Sequence, residues 1–349
     1  MKISTHNHWD KLREIVVGSA DNYRIPTVDR STMSFSYTTD SFEDVKHLQG
    51  PLPQSLIDEA NEDAQGLVNV LEQAGVVVHR PNSLDHSFEY STPEWKTTGW
   101  STWCPRDLLL PLDNLMIETP SPCRSRYFET RAYTDLMFSA IRDGSEWIAA
   151  PKPVLKDEIY QFEELEKPSL LNHEPVFDAP NCVRLGNDIL FQVSNSGNHF
   201  GLQWLKTVLE PRGYRIHPAE HIYSYGHFDS TIVPLRPGLV LLNSTRVTPD
   251  NCPKLFEKWD KIWFDDCIAQ TAAIPGGIAP CSTYIGMNIL SIDPDTVVID
   301  EAQLPLIKTL EAYGITCIPI QFRHAMTLSG GLHCLTLDLI REGERETYV

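Results

Sequence analysis

One phrase recurs along this 349-residue chain and constrains its fold more than any other feature. It reads "LVNVLEQAGVVVHRP" at Leu67–Pro81, "WLKTVLEPRGYRIHP" at Trp204–Pro218 and "LIKTLEAYGITCIP" at Leu306–Pro319. A looser copy, "FSAIRDGSEWIAAP", occupies Phe138–Pro151. Each copy starts with apolar residues at helical spacing, meets a glycine, and continues as a short apolar strand ending in proline. Gly75, Gly213 and Gly314 fall where a helix C-terminus takes a left-handed residue. Apolar strands that follow polar turns lie between the copies: "WDKLREIVVG", "PRDLLLPL", "LGNDILFQVS", "HFDSTIVPL" with "GLVLLN", "IGMNILSI" and "HCLTLDL". The chain therefore reads as an α/β protein of about five strand–helix–strand modules. Modules repeated at this spacing stack or close radially, and a closed ring gathers loops from every module around one axis.

At 42% hydrophobic residues the chain can bury a large core, and residues 1–349 are expected to form a single unit. The turn-prone stretches Tyr90–Pro105 and Ala273–Ser282 do not resemble interdomain linkers. The net charge is −18, from 29 Lys and Arg against 47 Asp and Glu. Such a chain is a poor partner for nucleic acid or for an anionic membrane surface, since both need a basic face. The opening "MKISTHNHWDKLREIVVG" lacks the apolar core of a signal peptide, and no 18-residue apolar run suggests a membrane span. The eight cysteines are scattered without a C-x-x-C pair, which speaks against a metal cluster or disulfide framework and fits a reducing cytoplasm.

Four short stretches carry candidate chemistry. In "LSGGLHCLTLDL", Cys334 follows Gly330 and Gly331, whose backbone freedom suits a thiol presented on a sharp turn before a strand. His333 is its neighbour. On an extended chain the two point apart, which gives His333 a structural role. In "YGHFDSTIVPL", His227 and Asp229 are two residues apart and face one space if they sit on a strand. Asp178 in "FDAPNC" lies in an apolar setting, where a buried carboxylate needs a partner and a histidine would supply one. Asp107 in "CPRDLLLPL" is a further acid at a strand start. Taken singly, each has an ordinary reading: a buried thiol, an edge pair, a turn aspartate, a cap. Taken together they supply a thiol nucleophile, a histidine base, an orienting carboxylate and two spare acids. Spare acids beside a nucleophilic cysteine suit a cationic electrophile such as guanidinium, which is planar and always protonated.

Through nearly its whole length the chain resembles the amidinotransferase family. The stretches that carry the resemblance include "HNHWDKLREIVVG", "CPRDLLLPLDNLMIETP", "RSRYFETRAY", "APKP", "FDAPNCVRLGNDIL", "HFDSTIVPLRPGLVLLN", "STYIGMNIL" and "GGLHCLTLDL". The resemblance implies a five-bladed, pseudo-symmetric α/β propeller, the pentein fold, which agrees with the repeats. It implies Cys334 as nucleophile, His227 as acid and base, and Asp178 as the acid behind the histidine. It implies Asp107 and Asp229 as ligands of the guanidinium, Arg246 in "LLNSTRV" as ligand of the donor's carboxylate, and Ser282 as a serine near the nucleophile. Where glycine-type members resemble "FDAADFIRAGRD", this chain has "FDAPNCVRLGND", with Pro180, Asn181 and Asn187 differing. "RLGNDILFQVSNSGN" and "STIVPLRPGLVL" are closer in wording to the inosamine-phosphate branch of aminoglycoside biosynthesis.

The expected reaction moves the amidino group of L-arginine to a primary amine through an amidino-cysteine and releases ornithine, with no metal or organic cofactor. An aminocyclitol, glycine or lysine remains open as acceptor, a deiminase yielding citrulline is the competing enzyme class, and a homodimer is one expected assembly. Because Asp107 and Asp229 surround Cys334, its thiol is expected near or above about 8.5 until guanidinium binds.

Overall fold

The structure, a computed structural model, describes residues 1–37, 40–162, 164, 167–219, 221–274 and 278–348. Its frame is five small mixed sheets of three strands each. In the second blade Leu109–Leu112 pairs antiparallel with Leu115–Glu118, and Glu146–Ala149 adds in parallel. The third blade is Cys182–Leu185, Asp188–Phe191 and Arg215–Pro218. The fourth is Ile232–Arg236, Leu239–Asn243 and Asp260–Phe264, and the fifth Leu290–Asp293, Thr296–Asp300 and Thr316–Ile320. The first blade is built from both ends of the chain: Leu12–Val17 pairs antiparallel with Thr336–Arg341 and parallel with Val77–His79. That pairing closes the ring.

The helix of each module returns the chain so that its last strand adds in parallel. Gln54–Gln73 buries Leu56, Ile57, Ala60, Ala64, Leu67, Val68 and Leu71, a stripe at helical spacing. It stops at Gly75 (φ 78°), where Gly75 N–H bonds Glu72 C=O and Val76 N–H bonds Leu71 C=O. This Schellman pair recurs at Gly144, Gly213 and Gly314, all left-handed, with the next amide bonding the carbonyl of Ala140, Leu209 and Leu310 respectively. Nothing lies within 4 Å of a Cβ placed on Gly75 or Gly144, so backbone angle rather than space requires glycine there. The recurrent glycine is thus a helix stop used in four of the five blades, preceded by Leu-Glu-x-x in three of them.

The modules differ from expectation in two ways. The repeating unit is a hairpin, a helix and a third strand, rather than strand–helix–strand. In the fourth blade the connection contains only the single 3₁₀ turn Lys254–Phe256. Pro249 and Pro253 fall within that segment and prevent a longer helix from propagating. Tyr90–Pro105 is packed structure: it includes the hairpin partner Lys96–Thr98 and the buried Trp95, Trp100 and Trp103. Within Ala273–Ser282, residues 275–277 lie outside the described residues.

At the hub, Asp338 on the closing strand is fully buried among three arginines from different parts of the ring. Arg184 Nη2 and Arg341 Nε donate to its Oδ2 at 2.7 and 2.9 Å. Arg106 Nη2 stands 2.7 Å from Oδ1 as a charge contact rather than an aligned hydrogen bond. Although burial opposes ionisation, these guanidinium groups hold the carboxyl well below its usual range. Arg184 also reaches Pro111 C=O of the second blade at 3.2 Å, and Arg341 reaches Ser291 C=O of the fifth at 2.9 Å. Removing the one anion strands buried cations, which costs roughly 3–5 kcal/mol. Asp338→Ala is therefore expected to lower the urea midpoint by a corresponding amount at unchanged slope. A loss below about 1 kcal/mol would show that the hub tolerates its cations without Asp338.

Candidate active site

Cys334 lies on a turn immediately before the closing strand, buried at 3% exposure. Asn288 shapes the turn: its side-chain Oδ1 accepts Cys334 N–H at 2.9 Å and its backbone C=O accepts His333 N–H at 3.2 Å. The two glycines are needed for space rather than for unusual angles. A Cβ on Gly331 would lie 2.6 Å from Asn288 Cβ, and one on Gly330 would lie 2.4 Å from Cys104 Sγ. The left-handed residue of the corner is Ser329, at φ 54°.

His227 and Asp229 do not occupy a strand. They sit on the loop before Ile232–Arg236, which turns over the fully buried Phe228, with Thr231 and Ile232 N–H both bonding Phe228 C=O. The turn nevertheless brings both side chains to Cys334. Asp229 Oδ2 accepts the Cys334 thiol at 3.3 Å and His333 Nδ1–H at 2.8 Å. His333 is also on the turn, so the opposed directions expected of an extended chain do not apply, and both neighbours meet the same carboxylate.

His227 is held between two acids. Its Nε2 bonds Asp178 Oδ2 at 3.0 Å, and its Nδ1 lies 3.5 Å from Asp107 Oδ1. Asp178 precedes the 3₁₀ turn Ala179–Asn181 and is fully buried. Asp107 ends the 3₁₀ turn Pro105–Asp107, with Oδ2 bonded to Arg126 Nη1 and Oδ1 without a hydrogen bond. Arg126 is clamped by Glu129 at 2.8 and 2.7 Å. Burial alone would lower the His227 pKa, but Asp107 and Asp178 raise it well above the ordinary value. Contact with the Cys104 thiol, burial and Asp229 raise the Cys334 thiol well above its ordinary value, against an opposing pull from His227. In the empty site the histidine is therefore a cation and the cysteine a neutral thiol.

His227, Asp229 and Cys334 line a cleft with about 280 Å³ of space, faced across by Arg246, Ser282 and Phe35. Arg246 donates to Thr231 Oγ1 at 2.9 Å and Ser282 Oγ at 3.1 Å, and lies 5.3 Å from the Tyr284 ring centre. It has no carboxylate partner among the described residues. Ser282 lines the cleft together with Cys334 and accepts a hydrogen bond from Arg246. Asp107 and Asp178 lie behind His227 rather than on the cleft wall. Three supporting residues were not singled out by the sequence: Asn288, Arg126 and Glu129. The i,i+3 spacing of Arg126 and Glu129 in "RSRYFETRAY" is the one local signal for that pair. No group of three or more His, Cys, Asp or Glu side chains among the described residues is arranged to hold a metal. No helix among the described residues is long and apolar enough to cross a membrane.

No protein-family model matches the chain. It is 42% identical over 346 residues to inosamine-phosphate amidinotransferase 1 of Streptomyces griseus, covering 99% of each chain. The solved structure of the S. griseus inosamine-phosphate amidinotransferase superimposes with a TM-score of 0.95. The chain is also 36% identical to the L-arginine:L-lysine amidinotransferase of Pseudomonas savastanoi pv. phaseolicola, covering 99% of this chain and 96% of that one. Dimethylarginine dimethylaminohydrolase from Pseudomonas aeruginosa shares the fold at 13% identity, with a TM-score of 0.58 over 94% of this chain and 99% of that one. With five mixed sheets closed in a ring and this degree of likeness over its length, the chain is a pentein and belongs to the amidinotransferase family.

Proposed function

We propose that this amidinotransferase takes the amidino group of L-arginine and passes it to a primary amine whose carrier also bears an anionic group, as an inosamine phosphate does. The observation that carries this reading is Arg246. It is a half-buried cation without an acid partner among the described residues, and it lines the same cleft as Cys334, His227 and Asp229. An anion at Arg246 and a guanidinium at the acids would hold arginine by both ends. After ornithine leaves, the same cation would hold the acceptor's anion and bring its amine to the carbon just vacated. Asp229 and Arg246 flank the first two strands of the fourth blade and Cys334 precedes the closing strand of the first, so the reaction would join two blades.

The chemistry follows from the charges. Guanidinium enters beside Asp229, with Asp107 behind His227 adding negative charge at the same end of the cleft, and its positive charge favours the thiolate as attack begins. Cys334 sulfur bonds the guanidinium carbon. The bond from that carbon to ornithine Nδ breaks as His227 gives Nδ a proton, and His227 recovers one from the thiol. The net proton transfer is thus from thiol to leaving amine. Asp178 holds the imidazole in place through both steps. The acceptor amine reverses the sequence, giving its proton back and freeing Cys334 as a thiol.

Arginine alone should leave an amidino adduct on the Cys334 peptide, seen by mass spectrometry after rapid acid quench, and ornithine should appear without citrulline. Cys334→Ala should form no adduct and lose roughly three or more orders of magnitude in transfer. Citrulline as main product would instead make the enzyme a hydrolase.

Arg246→Ala should raise KM for arginine and for a phosphorylated aminocyclitol alike, by about 10- to 100-fold each, as expected for a lost charged contact. An increase for arginine alone would place the acceptor's anion elsewhere.

The raised thiol pKa sets the pH dependence of the empty enzyme. Below that pKa the thiolate fraction rises about tenfold per pH unit, so inactivation by iodoacetamide should climb at that slope from pH 6 to 8.5. A plateau near pH 7 would mean a thiolate already formed beside His227.

A further inference from the structure

We propose that His8 and His333 are positioning residues for Asp229: a one-way chain of hydrogen bonds starts at the Arg184 backbone N–H, passes through both imidazoles, and ends on the carboxylate beside Cys334. This rests on the reading of Asp229 as a guanidinium ligand.

The direction of the chain follows from its first member. The Arg184 amide donates to His8 Nε2 at 3.0 Å, and a backbone N–H can only donate. His8 Nε2 must therefore carry a lone pair, which places the ring's proton on Nδ1. Arg184 Nη2 stands 3.2 Å from that Nδ1 but is itself a donor and cannot receive it. The acceptor available to His8 Nδ1–H is His333 Nε2, at 3.3 Å. His333 Nε2 is then also a lone pair, so the His333 proton sits on Nδ1, facing Asp229 Oδ2 at 2.8 Å. Reversing the chain would set a His8 ring proton against the Arg184 backbone proton at 3.0 Å, a closer conflict than the one the chosen direction leaves with the Arg184 guanidinium at 3.2 Å.

The chain needs each ring to carry a single proton, and its surroundings ensure that. Burial and then Arg184 keep His8 well below the ordinary histidine range; burial and then Arg106 bring His333 down to about 4. Arg106 Nε also fixes the His333 carbonyl at 2.7 Å. The hub that holds the ring together thus lies against the two imidazoles and keeps them neutral. Asp229, which also receives the Cys334 thiol, stays ionised: burial acts to raise it, but the His333 bond outweighs that and keeps it below the usual carboxylate range.

Two measurements test this. Nitrogen-15 spectra of the ligand-free protein with labelled histidine should show His8 and His333 as neutral Nδ1–H tautomers; an Nε2–H form at His333 would overturn the chain. Arginine binding by calorimetry, in Cys334→Ala protein so that no adduct forms, supplies a double-mutant cycle. His333→Leu should weaken arginine by about 10-fold or more, from the loss of a hydrogen bond to a charged group. His333→Asn, which keeps a donor at the Nδ1 position, should stay within about threefold of the parent. Adding His333→Leu to Asp229→Asn should cost almost nothing further, since its effect passes through Asp229. An equal loss in both backgrounds, or equal effects of the Asn and Leu variants, would make His333 merely structural and sink the proposal. If Asp229→Asn alone leaves arginine binding unchanged, it is the substrate role of Asp229 that fails, and the tautomers still decide the chain.

Discussion

The buried Asp338 carboxylate is the point on which the ring and its chemistry both depend. A single anion faces Arg106, Arg184 and Arg341; Arg184 reaches from the third blade into the second, and Arg341 from the first into the fifth. Three like charges at the axis of a propeller would repel in a low dielectric, and solvent cannot screen them there. With Asp338 in place, the same cations become ties between modules that otherwise share only neighbouring edges. The surplus positive charge is then put to use, because it discourages protonation of His8 and His333 nearby.

Around the nucleophile the charges alternate. Glu129, Arg126, Asp107, His227 and Asp178 form a buried line of opposite neighbours. Its effect is to make the histidine an acid before any substrate arrives. On the other side of Cys334, Asp229 and Cys104 keep the thiol protonated. A resting site of this kind holds its reactive groups in their less reactive forms. In the proposed reaction the activating charge is arginine's own, so activation and recognition would be one event.

The repeat was legible because each glycine reports a backbone requirement that only glycine meets cheaply, and the strands that follow were legible from their apolar runs. Hence the ring and four of its helices could be read from Leu67–Pro81 and its copies. The fourth blade was not, since its connection shows the strands without the helix. Cys334, His227, Asp178, Asp107 and Asp229 could be named, because thiol, imidazole and carboxylate have few uses in apolar surroundings. Their arrangement could not. His227 and Asp229 converge through a turn over Phe228, whereas alternation on a strand was the local expectation. Gly330 and Gly331 make room for Cys104 and Asn288, and an approach by residues 226 and 43 positions away leaves no mark in the local sequence. The link from Arg184 through His8 to His333 spans three distant segments for the same reason.

The pairing of Leu12–Val17 with Thr336–Arg341 has a consequence for the order of assembly. Val17 and Thr336 are neighbours in the sheet but more than 300 residues apart along the chain, so their meeting carries a large loop-closure cost that the local hairpins of the other blades avoid. A ribosome adds about 5–20 residues per second, and domains fold as their segments emerge. The middle blades can form while translation continues, but the strand beside Cys334 emerges more than 300 residues after its partner edge Leu12–Val17. The thiol, its Asn288 support and the Asp229 contact are therefore among the last features the nascent protein acquires, and an incomplete chain presents the cleft without the group that would react in it.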